Sequence, residues 1–203
     1  MDPQPYLIET ELSGKGVVLT PLLRSHREAL LCAEADGNLS ELWYTSVPNA
    51  SNIDNYLDNA LLQKQQGLAL PFVVLDKHSN TLIGATRYCN ADGLNKRLEI
   101  GYTWYGKSYQ RSAVNTQCKL LLLSYAFEQL GSIAVEFRTH WHNQASRAAI
   151  ARLGAKQDGV LRNHSVDDQG CYRDTVVFSI TNHEWPTVKR SLQHKLARYP
   201  SQV

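Results

Sequence analysis

The chain has 203 residues, of which 43% are hydrophobic and 20% charged, a balance typical of one folded soluble domain rather than a disordered or fibrous chain. Lys and Arg number 21 and Asp and Glu number 19, so the net charge of +2 is too small for a protein whose main partner is nucleic acid. The longest apolar run, residues 68–75, is far shorter than the ~20 residues of a membrane-spanning helix, so no membrane partner is expected.

The first half of the chain predicts a strand and two helices, followed by a run of strands. GVVLT at residues 16–20 predicts a strand, and Ser25 with Glu28 has the S-x-x-E form of a helix-capping box. Ser51 is expected to cap a second amphipathic helix that ends before Gly67. Three strands with short connections follow, and short loops favour antiparallel pairing. They lie at residues 71–76, 82–90 and 97–104.

The next part of the chain predicts a buried helix and a crossover. A broad apolar face from Val114 to Phe127 is typical of a helix packed on a sheet. The strand at residues 132–140 is expected to lie parallel to the strand at residues 97–104, because a helix joins them. Asn143 is then expected to cap another helix.

The remaining elements complete a single predicted α+β domain. Strands are expected at residues 156–162 and 172–180, and an amphipathic helix over residues 184–199. We therefore predict one domain over residues 1–203, with its core at about 16–181. Its sheet should be mixed, mostly antiparallel and twisted, with helices flanking it.

The segment from Arg97 to Leu130 contains the most information about function. It predicts a strand, a polar loop and the start of a long helix. Backbone N–H groups at a helix N-terminus are unpaired and sit at the positive end of the helix dipole, so they favour an anion such as phosphate. Every β-loop-α unit shares this property, so it does not identify a ligand by itself.

Four motifs occur in a specific order along the chain. They are LEIGYTW at residues 98–104, NTQCKLLLLSYAFEQLG at 115–131, NQASRAAIARLGA at 143–155 and GCYRDTVVFSI at 170–180. In this order and spacing they resemble the GNAT N-acetyltransferase superfamily, most closely its ribosomal-protein-acetyltransferase-like (RimJ/RimL) branch. The resemblance covers residues 16–180. It implies a GNAT-like fold and the direct transfer of an acetyl group from acetyl-CoA to a primary amine in a ternary complex.

The resemblance also implies a loop that cradles the acyl-CoA pyrophosphate with its backbone amides. The matching residues are Gln110, Arg111, Ser112, Ala113, Val114 and Asn115. Ala113 and Asn115 stand where the family pattern has glycine, or glycine or alanine. If the backbone needs a positive φ there, alanine costs about 1 kcal/mol or more, which would weaken CoA binding.

The pantetheine arm is expected, by the same resemblance, to hydrogen-bond along one strand. The matching backbone positions are Tyr102, Thr103 and Trp104, whose side chains could equally serve packing alone. Asn143 matches an asparagine that contacts the cofactor, although capping of a helix is its simpler role.

Amine acetylation needs a proton acceptor for the amine and a donor for the departing thiolate. Glu99 is the expected acceptor, unless it faces solvent or pairs with an arginine. Ser146 matches the serine proposed as thiolate acid in the RimJ/RimL branch, with helix capping as the alternative. Ile150 stands where many GNAT enzymes have a tyrosine acid, and an isoleucine cannot donate a proton. The acid is therefore Ser146 or an ordered water.

No metal cofactor is predicted. The four cysteines are far apart without a C-x-x-C pair, so they match neither a zinc spacing nor a disulfide framework. His140 and His142 share a strand face, but no carboxylate or cysteine pattern accompanies them. We expect them to face the substrate or to provide an alternative base.

The expected partner is an amine, either a small molecule or a protein N-terminus. A cytoplasmic monomer or homodimer is expected. Two other classes of function stay open. One is a non-catalytic acyl-CoA-binding module, suggested by Ala113, Asn115 and Ile150. The other is a ribosome- or RNA-associated protein that would use the basic C-terminal residues Lys189, Arg190, Lys195 and Arg198.

Overall fold

The computed structural model describes residues 6–167 and 169–199, and its strands form one eight-stranded sheet in the order β1-β2-β3-β4-β5-β6-β8-β7. The strands are β1 (Leu12–Ser13), β2 (Val17–Pro21), β3 (Leu70–Asp76), β4 (Leu82–Asp92), β5 (Arg97–Tyr105), β6 (Ala134–His140), β7 (Lys156–Val166) and β8 (Tyr172–Thr181). The helices are α1 (Arg27–Ala35), α2 (Ile53–Gln65), α3 (Val114–Ser124), α4 (Gln144–Leu153) and α5 (Trp185–Leu196). A π-helical turn, Tyr125–Gln129, extends α3.

Only one of the neighbouring strand pairs is parallel. β5 lies parallel to β6, and every other neighbouring pair is antiparallel. The predicted mixed, mostly antiparallel α+β sheet is therefore confirmed. The parallel pair follows from the α3 crossover, because a helix returns the chain to the same end of the sheet.

The two faces of the sheet are buried by different helices. Alternate residues of β3 separate the two cores: Phe72 and Val74 belong to the core under α3 and α5, and Val73 belongs to the core under α1 and α2. Because both faces are covered, β3 is apolar along almost its whole length rather than alternating. The predicted C-terminal helix is confirmed, and it buries Trp185, as the apolar stripe indicated.

β5 and β6 separate soon after they pair. Their parallel register contains three residue pairs, from Arg97 with Ala134 to Glu99 with Glu136. Beyond that point β5 continues along β4, and β6 continues along β8. A cleft therefore opens between the two parallel strands toward their carboxyl ends.

A bulge in β5 lies beside this cleft. The register with β4 passes from Ala85 opposite Trp104 to Arg87 opposite Gly101, so β5 contains one extra residue. Tyr102, within the bulge, has a φ of 51°, which a bulky residue rarely adopts. The bulge turns part of β5 out of the regular ladder at the predicted pantetheine positions.

Two predicted helix caps are wrong, whereas a third is confirmed. Ser25 lies in a 3-10 turn, and the Nδ1 atom of His26 accepts the backbone N–H of Leu23 instead. The Ser51 hydroxyl donates to Asn49, and α2 begins at Ile53 without a side-chain cap. Such local side-chain bonds compete with capping. Asn143 does cap α4, as its side chain accepts the Ser146 backbone N–H at 2.9 Å.

Candidate active site

Unpaired backbone N–H groups gather where α3 begins. Within the described residues, the N–H groups of residues 111–113, 115 and 116 donate no hydrogen bond, whereas Val114 N–H is held by the Ser112 hydroxyl at 3.3 Å. The first turn of a helix always leaves such donors, and here the preceding loop adds more. Since β5 leads into this loop, the N–H groups lie at the end of the sheet where β5 and β6 separate. They suit an anion such as the pyrophosphate of acetyl-CoA.

The expected strain at the loop does not occur. Ala113 has a φ of −68° and a ψ of −19°, and Asn115 lies within the regular turns of α3. The one positive φ in this segment belongs to Arg111, at 58°. The departures from the family pattern at Ala113 and Asn115 therefore cost no backbone strain here, because neither position needs the left-handed region.

Side chains of the loop hold its conformation. Gln110 Nε2 donates to the Tyr105 carbonyl at 3.0 Å, and the Ser112 hydroxyl donates to the Tyr109 carbonyl at 2.5 Å. The Asn115 amide oxygen accepts from the Tyr105 hydroxyl at 3.3 Å. These bonds fix the loop to the end of β5 and leave its backbone donors free.

The three predicted pantetheine positions have different side-chain environments. Trp104 is buried in the core under α1 and α2, so its indole serves packing. Tyr102 is 42% exposed, and the Arg87 guanidinium stacks 4.0 Å from its ring centre. Thr103 accepts a hydrogen bond from the Lys119 ammonium at 2.6 Å and lies 2.7 Å from the Thr86 hydroxyl.

Lys119 is a buried cation that the sequence analysis did not single out. It is 4% exposed and lies on α3, with its ammonium directed to β5. Burial lowers its pKa to about 8, although the neighbouring cysteines oppose this shift. Burial disfavours the charged form of a lysine, so the ammonium is held at a cost in folding free energy near neutral pH.

We expect replacement of Lys119 by methionine to remove the cost in folding free energy of burying the ammonium group, a cost that depends on pH. The penalty on the folded state is full below about pH 8 and disappears as the pH rises toward 10.4, the usual lysine pKa. Across this interval the unfolding free energy of the wild type should therefore rise by about 3 kcal/mol relative to that of K119M. Urea denaturation of both proteins from pH 7 to 10.5 measures this difference. The cysteines titrate in both proteins, so their contribution to the pH dependence cancels in the comparison.

The exposed Lys15→Met variant is the control, and it should parallel the wild type throughout. A constant difference between the wild type and K119M across the pH range would contradict the lowered pKa.

Glu99 lies at the point where β5 and β6 separate. It is 7% exposed, accepts a hydrogen bond from the Asn90 amide at 2.8 Å, and pairs with the Arg138 guanidinium at 3.5 Å. The arginine pairing expected as an alternative is thus present. Burial nevertheless dominates and raises the pKa of Glu99, while Asn90 and Arg138 oppose the rise. A buried carboxylate with a raised pKa is a suitable proton acceptor near neutral pH.

Ser146 lies in the first turn of α4, just beyond β6. Its backbone N–H caps the helix with Asn143, and its hydroxyl has no hydrogen-bond partner among the described residues. The capping role of Asn143 is therefore established. The hydroxyl of Ser146 is left available for another partner.

Histidines and aromatic rings form a wall at the end of β6. His140 is buried, and its Nδ1 accepts the His142 backbone N–H at 3.0 Å. Trp43, from the segment between α1 and α2, places its ring 4.9 Å from the ring of His140 and 5.8 Å from that of His142. A small cavity of about 180 Å³ adjoins both histidines. Burial, Arg173 and His142 lower the pKa of His140, which favours its neutral form.

The predicted residues thus fall into two groups around one cleft. Glu99 and the bulge at Tyr102 lie along β5, and the free N–H groups of residues 111–113, 115 and 116 lie beyond the end of that strand. Asn143 and Ser146 follow the end of β6. The sequence analysis did not identify three further residues of the cleft, because each reaches it from a separate element. They are Arg173, Arg138 and Trp43. Within the described residues, no group of three His, Cys, Asp or Glu side chains could hold a metal ion.

Residues 17–156 match the family model of the acetyltransferase (GNAT) domain. The chain belongs to the GNAT acetyltransferase family. The family predicted from the motif order is therefore confirmed. In the described part of this GNAT chain, no helix is long and apolar enough to cross a membrane.

Named relatives agree with the predicted branch. YdaF of Bacillus subtilis strain 168, provisionally named a ribosomal N-acetyltransferase, is 31% identical over 108 residues. That match covers 53% of this chain and 58% of YdaF, so this chain spans less than two thirds of that relative. A GCN5-related N-acetyltransferase from Brucella melitensis is 30% identical with a TM-score of 0.84, over 97% of this chain and 89% of that one.

One solved neighbour carries a CoA derivative. Mycobacterium smegmatis RimJ, in complex with CoA-disulfide, has a TM-score of 0.74 over 88% of each chain. Its sequence identity is 22%, so this likeness supports the GNAT fold alone.

Proposed function

We propose that this GNAT protein transfers the acetyl group of acetyl-CoA to a primary amine, directly and within a ternary complex. The observation that carries the proposal is the opening of the sheet between β5 and β6, at the end where α3 presents its unpaired N–H groups. An open strand edge suits the amides of pantetheine, and the N–H groups suit the pyrophosphate. Both features lie along one continuous path.

In this proposal the loop and β5 hold acetyl-CoA. The backbone of residues 110–115 binds the pyrophosphate, and the backbone of Tyr102, Thr103 and Trp104 binds the pantetheine arm. Asn143 contacts the same substrate in addition to its capping role. The side chains of Gln110, Ser112 and Asn115 act by fixing the loop.

Glu99 acts as the general base. The amine nitrogen must be neutral to attack the thioester carbonyl, and Glu99 accepts the proton that the nitrogen loses, directly or through water. A C–N bond forms and the C–S bond breaks, so the electron pair of the C–S bond leaves with the thiolate of CoA. Burial supports the assignment, since it raises the pKa of Glu99 and makes the carboxylate a stronger base.

Ser146 donates the proton to the departing thiolate. Its hydroxyl has no competing partner among the described residues. Ile150 is buried in the core, so that position cannot provide the acid. An ordered water is the alternative donor.

Replacement of Ser146 by alanine should reduce kcat by about 10²- to 10⁴-fold, since general acid catalysis contributes on this scale. The affinity for acetyl-CoA and the melting temperature should stay unchanged, because the Asn143 cap uses the Ser146 backbone N–H, which alanine retains. Steady-state kinetics and calorimetric titration of the same preparation measure both. Equal kcat in the two proteins would assign the acid role to water.

The direct test of the function is turnover over a panel of amines. Purified protein is mixed with acetyl-CoA and with amino acids, polyamines or peptides with free N-termini, and both CoA thiol release and the mass of the product are recorded. The ribosomal naming of a relative makes peptide N-termini the first acceptors to include. Binding of acetyl-CoA without product from any amine would favour the non-catalytic acyl-CoA-binding module. The cytoplasmic location and the monomeric or homodimeric state stay predictions.

A further inference from the structure

Arginines from three strands converge on the sheet face beside Glu99. Arg87 comes from β4, Arg138 from β6 and Arg173 from β8. The Nε atom of each is buried without a hydrogen bond among the described residues, and that of Arg138 has only its ion-pair contact with Glu99 at 3.5 Å. A buried guanidinium N–H that stays unpaired costs free energy, so such a cluster calls for a negatively charged partner.

The charges of this face do not balance within the described chain. Glu136 pairs with Arg97 and with Arg138, and Glu99 pairs with Arg138. Neither Arg87 nor Arg173 forms an ion pair with any described carboxylate. With Asp92, which lies opposite Arg97, three carboxylates thus face four guanidinium groups.

Arg87 already has a structural role. Its guanidinium lies between the rings of Tyr102, at 4.0 Å, and Tyr56, at 5.3 Å, and it donates to Gln63 at 3.4 Å. At 2% exposed it has little access to a ligand. We therefore regard Arg87 as the residue that positions Tyr102.

Arg173 has no such role. It is partly buried, and its side chain makes no hydrogen bond, ion pair or ring contact within the described residues. It precedes Thr175 by two residues, and Thr175 pairs with His140, so Arg173 lies on the same face of the sheet as His140. Burial lowers the pKa of Arg173, while Tyr102 and Glu99 oppose this shift. Its charge also acts on His140. Arg173 is thus an unpaired cation between the proposed base and the histidine wall.

We infer that Arg173 binds a carboxylate or phosphate group of the acceptor while Glu99 receives the proton of the acceptor amine. The inference rests on the proposed function and narrows its substrate to amines with an anionic group nearby, such as free amino acids or peptides with an acidic second residue. A guanidinium offers paired N–H donors that match the two oxygens of such a group. A polyamine, in contrast, would bring further positive charge to a face that is already positive.

Pairs of acceptors that differ in one charge test the inference. Free amino acids are compared with their amides, and peptides with Asp or Glu in second position with their Asn or Gln counterparts. Each pair is assayed with the wild type, Arg173→Gln and Arg173→Lys. For the anionic member, R173Q should lower kcat/KM by roughly 10- to 100-fold, mainly through KM, and R173K should lie between. The neutral member should lose much less, and its remaining turnover also shows that R173Q is folded.

The control is the exposed Arg190→Gln on α5, which removes the same charge far from the cleft. It should leave all acceptors unchanged. An effect confined to free amino acids identifies the group that Arg173 binds as the carboxylate of a small molecule. An effect confined to acidic peptides identifies it as a peptide side chain.

Other outcomes overturn the inference in distinguishable ways. An equal loss for both members of a pair, with a shifted pH profile, would mean that Arg173 only tunes Glu99. Better turnover of neutral or cationic amines than of anionic ones would refute the inference and leave the acetyltransferase function intact. Absence of product from every amine would refute the proposed function itself.

Discussion

Replacement of Glu99 by glutamine is expected to lower kcat by about 10²- to 10⁴-fold, the usual contribution of a general base. The amide keeps the size of the side chain but cannot accept a proton. Acetyl-CoA affinity should stay within about threefold, because no binding role is assigned to this side chain. Stopped-time product analysis and calorimetric titration measure the two quantities on one preparation.

The pH dependence gives the same assignment a second readout. Because burial raises the pKa of Glu99, the wild type should lose kcat/KM as the pH falls through a value above the usual glutamate range near 4.3. In E99Q this acidic limb should disappear. The charge of Glu136 adds to the raised pKa, so Glu136→Gln should move the limb to lower pH without changing the maximal rate. An E99Q rate within threefold of the wild type would transfer the role of base to another group, such as His140.

Replacement of Gly84 by alanine should destabilise the fold more than the same replacement at the other strand glycines, Gly101 and Gly159. A Cβ at this position would lie 2.1 Å from the Trp104 carbonyl oxygen and 2.9 Å from the Tyr105 Cα. Both atoms belong to the backbone of β5, so no side-chain rotation relieves the clash. We expect a loss of about 3 kcal/mol or more, which corresponds to roughly 6–12 °C in Tm for a chain of this size.

Gly159→Ala is the matched control, because no atom lies within 4 Å of a Cβ built there. Gly159 also belongs to a strand of the same sheet, β7. Thermal unfolding of both variants tests the difference. Equal melting temperatures for G84A and G159A would contradict the close approach of β4 and β5 at the bulge.

The fold could be predicted from the sequence because most of its signals are local. The apolar stripe of α3 gave both the helix and, through the crossover rule, the parallel pairing of β5 with β6. The helix starts at Ser25 and Ser51 were predicted wrongly, since several polar residues compete for the same backbone donors there. The bulge at Tyr102 has no glycine or asparagine at the positive φ, and the local sign of it is the neighbouring Gly101 within the strand.

The candidate site could be predicted only where it follows one segment of chain. Glu99 and residues 110–115 are continuous with recognisable motifs, and the structure brings them to one cleft. Lys119 is buried against β5, and Arg173 lies on β8, two strands away from Glu99, so both arrangements depend on strand order. An unpaired guanidinium is visible only after all its neighbours are placed.

The loop at residues 110–115 shows that the effect of a departure from a family motif depends on the backbone angles at that position. Ala113 and Asn115 replace the residues of the family pattern, which from sequence alone predicts strain and weaker CoA binding. Both residues have ordinary helical backbone angles, and the N–H groups of residues 111–113, 115 and 116 stay free to donate to a ligand. The non-catalytic alternative therefore receives no support from backbone strain.

Calorimetric titration of the purified protein with acetyl-CoA tests the central claim most directly, with free CoA and desulfo-CoA titrated in parallel. The cleft between β5 and β6 should bind acetyl-CoA at one site with micromolar affinity, and desulfo-CoA should bind as well, because the pyrophosphate and pantetheine contacts do not need the sulfur. Absence of binding at millimolar acetyl-CoA would contradict the account, and the acetyltransferase function would then give way to an interaction role.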